Sequence, residues 1–282
     1  MSTPIRNVSD TALWVAMYRA FESERPDAIF RDPYARRLAG ERGEAIVSTL
    51  RHGRAMAWPM VVRTAVMDEI VLRCVQQGCR TVLNLAAGLD TRAWRLPLPA
   101  DLRWIDADLP DMVAYKQERL AGEKTACEYE AVPVDLVDAA ARERLFAHAA
   151  ERGPVLTLAE GLLVYLETDA VAALSQHLHA HAAMRWWLFD LASPKLLAYL
   201  NRSVGKQLQA GNAPLRFGPA EGTAFFLPHW REVEFRSTWQ EALRLHRTMK
   251  VLWLWKLLDR LAGEARREKG RRFSGIVLLE RT

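Results

Sequence analysis

Between residues 79 and 192 short apolar runs alternate with helix-length segments, a rhythm that few folds can accommodate. Thr81–Leu85 (TVLNL) is a short, largely apolar and β-branched run, the pattern of a buried strand, and it runs into a turn at Ala86-Ala87-Gly88. The runs at 102–107 (LRWIDA), 129–134, 155–159 (VLTLA) and 185–191 (RWWLFDL) repeat it, with helical segments at 111–120, 138–150 and 168–183 between them. Strands joined through helices pair in parallel, so the class is α/β with helices on both faces of the sheet. Later runs at 231–235 and 274–279 add an antiparallel edge, for seven strands in a mostly parallel sheet.

Residues 10–78 read as helical, with Asp32-Pro33 as a cap and Val61–Val75 apolar at helical spacing. Pro194–Pro228 carries no strand signal and reads as a helical and loop insertion, and a Trp-rich helix is expected near 239–262. All 282 residues are thus expected to form one domain: a helical cover (1–78), a cofactor-binding core (79–192), an insertion covering the substrate (193–230) and C-terminal strands and helix (231–282).

Composition excludes several classes. Apolar residues at 50% and charged residues at 26% are globular values, and no apolar stretch approaches the roughly 18 residues of a membrane span. The polar segment Met1–Asp10 shows no secretory signal, so a cytoplasmic location is expected. Cys74, Cys79 and Cys127 form neither a disulfide framework nor a zinc motif. The net charge is +5, and Lys256–Arg272 alone holds seven basic and three acidic residues, a local excess of +4. No nucleic-acid motif accompanies that segment, so neither nucleic acid nor membrane is expected as a partner. The oligomeric state is not legible.

In a parallel sheet the ligand lies beyond the C-terminal strand ends. After the first strand stands Asn84–Arg92; after the second, Asp108, twenty positions beyond Gly88, the spacing at which such folds hold a ribose. A nucleoside cofactor follows. The turn has one glycine where dinucleotide folds want three, and Asp90 beside it opposes a pyrophosphate, so S-adenosylmethionine fits better than NAD. The residues alone leave alternatives: a capped strand-to-helix turn for Gly88 and Asp90, ordinary caps for Asp108 and Asp135, and surface ion pairs for Arg19 and Arg63.

The strings NLAAGLDTRAWRL, DADLPDMVAYK, PVDL and LTLAEGLLVYL occur in this order, preceded by YRAFESERPDAIFRDPYA and by Arg63-Thr64. Together they resemble the leucine carboxyl methyltransferase family, including its bacterial S-adenosylmethionine-dependent members, over residues 11–192. The resemblance implies a class I methyltransferase fold, Rossmann-like. It further implies that Arg19 and Arg63 hold the methionine carboxylate, Ala86 and Gly88 line the turn, and Asp108 binds the ribose. Asp135 and Leu136 would address the adenine, and Glu160 the methionine amino group. Relatives often carry glycine where Ala86 stands.

The same resemblance implies O-methylation of a small-molecule carboxylic acid of secondary-metabolite type. A hydroxyl acceptor would need a general base, for which Tyr165 and His229 are the candidates, although Tyr165 reads equally as a packing residue. A NAD oxidoreductase and a non-catalytic scaffold are the rival readings. Phe217, Phe225, Phe226 and Trp230, interleaved with Arg202, Lys206 and Arg216, are expected either to shape an apolar, cationic acceptor pocket or to anchor the cover to the sheet. His177, His179 and His181 alternate so that only 177 and 181 share a helix face; a solvated surface and no metal are expected. Lys116 matches a family lysine but reads as helix surface, and Trp186, Trp187, Trp253 and Trp255 read as core or interface.

Overall fold

The protein is described from a computed structural model, over residues 8–49, 53–203, 205, 213–248 and 270–282. Seven strands form one sheet: β1 (Thr81–Leu85), β2 (Arg103–Asp108), β3 (Glu128–Pro133), β4 (Val155–Ala159), β5 (Met184–Ala192), β6 (Trp230–Ser237) and β7 (Ser274–Arg281). Their order is β3-β2-β1-β4-β5-β7-β6. The first five are parallel; β7 runs antiparallel to β5, and β6 to β7. β1 and β4 are buried at every position, in keeping with their largely apolar sequences; the polar side chain Asn84 in β1 is buried with hydrogen-bond partners. The edge strand β3 carries Glu128 and Glu130 and stays partly exposed. Strand order reverses between β1 and β4, which opens a crevice at their C-terminal ends.

Helices α1 (Val8–Ser23), α2 (Ala35–Thr49) and α3 (Trp58–Gln76) precede the sheet. Next come a single helical turn, α4 (Arg92–Arg95), then α5 (Pro110–Arg119), α6 (Ala139–Ala150), α7 (Thr168–Ala180), α8 (Pro194–Ser203) and α9 (Thr238–Arg244). Leu145 and Phe146 of α6 and Val171, Leu174 and Leu178 of α7 fill one face of the sheet; Val62, Val66, Ile70 and Cys74 of α3, with Ala242 of α9, fill the other. A third cluster joins α1 and α2 to Leu89, Met112, Ala213 and Leu215, so the N-terminal helices cover the crevice end of the sheet.

The strands fall within two residues of their sequence-based bounds, whereas the covers differ more. Helix α2 starts at Ala35, two residues after Pro33; Asp32 accepts the Tyr34 amide at one carboxylate oxygen, as a cap does, and Arg19 at the other. The expected Trp-rich helix is represented by α9 alone; the rest of 249–262, with Trp253 and Trp255, and most of the basic segment 256–272 lie outside the described residues. Trp186 and Trp187 are core. Of the two readings of the insertion's aromatics, acceptor pocket or anchor, the described residues match the anchor. Phe226 and Trp230 pack on Trp187 with ring centroids 5.2 and 5.6 Å apart, Phe217 joins the same buried cluster, and these rings anchor the cover. Among the described residues, no helix is long and apolar enough to cross a membrane.

Candidate active site

A cavity of about 720 Å³ lies at the C-terminal ends of β1, β2, β4 and β5, roofed by α1, α3 and the insertion. The β1 turn forms its floor. Ala86 and Gly88 both have φ of +50°, the left-handed region, which glycine adopts freely and alanine only with strain. That conformation aims the Gly88 amide at Asp108, whose Oδ2 accepts it at 2.6 Å while Oδ1 accepts the Leu109 amide at 2.7 Å. Burial pushes the Asp108 carboxyl above its usual range, and the two amides only partly offset this. A carboxylate has room for about four donors, so Asp108 can accept further hydrogen bonds from a ligand.

Arginine–carboxylate contacts close the far side. Glu160, just after β4, accepts from Arg63 Nε at 3.0 Å and pairs with Arg92 Nη2 at 2.8 Å. Arg63 also reaches Asp190 Oδ2 on β5 at 3.1 Å, and the Gly161 amide donates to Asp190 Oδ1 at 2.6 Å. Arg92 further binds Asp68 at 2.6 Å and Asp90, and Arg95 completes the group on Asp68. Burial alone would raise the Glu160 carboxyl, but Arg92 and Arg63 hold it below the usual range. Asp90 is treated the same way by Arg92, Lys116 and Arg95. The Asp90 charge is therefore taken up by Arg92, and the single-glycine turn carries more of the case against a pyrophosphate than Asp90 does.

Arg19 and Arg63 both border the cavity, but each has a carboxylate of its own: Arg19 Nε lies 2.9 Å from Asp32. These ion pairs are buried and not on the surface. Asp135 is exposed at the cavity rim and accepts the Val137 amide at 2.9 Å; Leu136 borders the cavity beside it. Tyr165, in a 3₁₀ turn at Leu163–Tyr165, also lines the cavity, and burial raises its phenol. His229 does not line it. It precedes β6, whose first residue Trp230 pairs with Arg281 at the end of β7 remote from the cavity. From the insertion, the lining residues include Leu196, Leu200, Leu215 and Arg216; the last pairs with Glu167. Lys206 lies outside the described residues.

Sequence reasoning missed Arg92, Asp190 and the Lys116 pair. Lys116 is buried, with Nζ 2.6 Å from Asp106 Oδ2, and is no surface lysine. Asp106 also accepts from Tyr129 at 3.0 Å, Trp104 at 2.8 Å and Asn84 at 3.0 Å, and Asn84 reaches Asp90 at 3.2 Å. This network props the β1 turn from behind. Asp190 was readable as the one carboxylate in RWWLFDL. The three thiols are buried and raised, Cys74 and Cys127 to about 12 and Cys79 to about 11, so none is a nucleophile near neutral pH.

The chain is similar to known proteins in sequence and in fold. A protein of Parafrankia sp. (strain EAN1pec) bearing the name of an S-adenosyl-L-methionine-dependent methyltransferase is 41% identical over 177 residues, 59% of this chain and 57% of that protein. One of the same description from Streptomyces coelicolor is 37% identical over 179 residues, 58% of this chain and 62% of that protein. The chain thus spans about three fifths of the length of the curated relatives it matches. In fold, the crystal structure of a DUF574 family protein from Streptomyces avermitilis superposes with a TM-score of 0.60 at 14% identity, covering 95% of this chain and 97% of that one. A Thermobifida fusca structure described as a methyltransferase gives 0.57 at 12% identity, covering 99% and 96%. The family model for leucine carboxyl methyltransferase matches residues 12–179, more than half of the chain, and the chain belongs to that family.

Proposed function

We propose that the protein is an S-adenosylmethionine-dependent O-methyltransferase that esterifies a carboxylate of a small molecule. The observation that carries this reading is the Gly88–Asp108 contact at the switch point of the sheet, in a chain of this family. The donor set fits the cofactor. Asp108, raised by burial and short of donors, suits a ribose diol; Asp135 and Leu136 at the rim suit the adenine; and the arginine–carboxylate cluster at Arg63, Arg92, Glu160 and Asp190 suits a zwitterionic amino-acid arm. Bound there, S-adenosylmethionine supplies a methyl group already activated by a sulfonium.

The chain's residues then have to position an acceptor and exclude water. Leu196, Leu200 and Leu215 give the cavity apolar walls, and α1 and α3 roof it. An acceptor carboxylate is ionised at neutral pH, so the residues around it need remove no proton from it. That suits a cavity in which Glu160 and Asp90 are committed to arginines, Asp108 is assigned to the ribose, and burial raises the phenol of Tyr165. The test is the product. A methyl ester is cleaved by mild base and a methyl ether is not; base-stable methylation of the preferred acceptor would overturn the carboxylate assignment and put Tyr165, not His229, forward as the base.

A further inference from the structure

Away from the cavity, α6 and α7 bring two histidines and a glutamate together. His177 and His181 are four apart and share one face of α7. Glu143 of α6 comes up against them: its Oε2 is 2.5 Å from His177 Nε2 and 3.2 Å from His181 Nε2. The three potential ligand atoms all lie within 4.8 Å of one another. His179, between the two in sequence, leaves on the other side and stacks on His229 with centroids 4.8 Å apart.

The arrangement is held before any ligand arrives. Phe146, fully buried and one turn beyond Glu143, stands edge-on to both imidazoles, with ring centroids 5.2 and 5.9 Å away. Side-chain exposure is 20% for His177 and 15% for His181, whereas Glu143 is 55% exposed, so rigid ring donors meet a carboxylate open to solvent. Two Nε2–H donors on one carboxylate oxygen form the geometry that a cation with empty coordination positions replaces.

We propose that Glu143, His177 and His181 form a binding site for a divalent transition metal of the zinc class, with three protein ligands and a position left for water. Two imidazole nitrogens with one carboxylate oxygen select zinc, cobalt or nickel over magnesium or calcium, which want oxygen alone. With metal–ligand distances of about 2.0–2.2 Å, ligand atoms sit roughly 3.3 Å apart in a tetrahedron, so His177 and Glu143 need separate by under about 1 Å. Each imidazole coordinates through Nε2 and keeps its proton on Nδ1. The opposing group is Arg142, whose Nε lies 3.4 Å from His177 Nδ1 and which must release that nitrogen when it carries the proton. Arg142 has an alternative hold, since its Nη1 donates to the Leu136 carbonyl at 2.6 Å.

The full chain, stripped of metal with a chelator, is titrated with zinc sulfate against a chromophoric competitor. One equivalent is expected to bind, with magnesium chloride giving no comparable binding. His177→Ala and His181→Ala should each weaken zinc binding on the order of tenfold or more, while His179→Ala leaves it unchanged. Should the histidine variants fold poorly, proton resonances of the imidazoles in the unsubstituted chain decide: zinc is expected to shift those of His177 and His181 and not those of His148 or His179. Zinc binding that survives loss of both ligands, equal binding of magnesium, or no binding at about 100 µM zinc overturns the proposal.

Discussion

The amide of Gly88 donates to Asp108 Oδ2 across 2.6 Å, tying the turn after β1 to the end of β2. The bond fixes the turn and aims the rest of the carboxylate into the cavity. Asp108→Ala is expected to weaken S-adenosylmethionine binding by on the order of 1.5–3 kcal/mol, the range for charge-assisted hydrogen bonds. Calorimetry on the folded variant checks this, and unchanged affinity removes Asp108 from the site.

Positions 86 and 88 should respond unequally, although they share one backbone conformation. Both are left-handed, and a Cβ at Gly88 would stand 3.2 Å from the Ala12 Cβ on α1. Gly88→Ala is expected to cost about 1–2 kcal/mol, from the left-handed strain of one residue. Ala86→Gly removes that strain but loosens the unfolded chain, so it should lie within about 1 kcal/mol of the parent. Urea denaturation of both variants measures the difference; a Gly88→Ala chain as stable as Ala86→Gly would contradict the assigned turn.

Buried strands were the most legible part of the chain, because a strand covered on both faces must be largely apolar and must end where a turn begins. β1 and β4 show this, and the residues following them border the cavity. Lys116 was not legible: α5 has polar residues around most of its surface, and nothing local says that Asp106, ten residues earlier on β2, lies beneath that lysine. His229 was misplaced because its distance from the cavity depends on β6 and β7 running antiparallel, with its end of the pair at the far edge. The phenylalanines of the insertion read equally as pocket walls or as anchors, because burial against a core and burial against a ligand ask for the same side chains.

The Lys116–Asp106 pair gives a third prediction. Both side chains are almost fully buried, so Lys116→Met leaves Asp106 charged with only neutral donors, at a cost of about 3–5 kcal/mol. Adding Asp106→Leu removes the stranded charge and should restore part of the loss, although it leaves Asn84, Trp104 and Tyr129 each short of an acceptor. A double-mutant cycle measures the coupling. Additive losses would mean that the two residues do not act as a pair.

Stability should fall in acid through Asp90 and Glu160. Burial acts to raise both carboxyls, but Arg92 leads the charges that hold them below their ordinary range. Groups lowered in the folded state contribute stability above the ordinary carboxylate range and lose it as pH falls through and below that range. Asp108 acts in the opposite sense: its folded value is raised, so its contribution is present at low pH and lost as pH rises. Denaturation midpoints across pH 3–7 should therefore fall on the acid side, and Arg92→Met should flatten that slope while lowering stability at neutral pH. A slope unchanged in Arg92→Met would place the acid sensitivity elsewhere.

Acceptor selection should depend on the leucines of the insertion and not on its phenylalanines. Phe226 is 1% exposed and wedged among Trp187, Phe189 and Phe217, so Phe226→Ala opens a core cavity and is expected to cost about 3–5 kcal/mol of stability. Its remaining folded fraction should keep the parent's order of preference among acceptors. Leu200 is only partly buried and borders the cavity, so Leu200→Ala costs little stability. Instead it removes apolar contact from a bound acceptor, worth about 1 kcal/mol or roughly a fivefold rise in acceptor KM. Substituting a larger residue there, as in Leu200→Phe, should exclude the bulkier members of an acceptor series before the smaller ones. The measurement is the KM ratio across acids of increasing size in the three variants, with S-adenosylmethionine affinity as the internal control. If Phe226→Ala reorders the acceptors and Leu200→Phe does not, the pocket lies against the aromatic anchor and the leucines only close the cover.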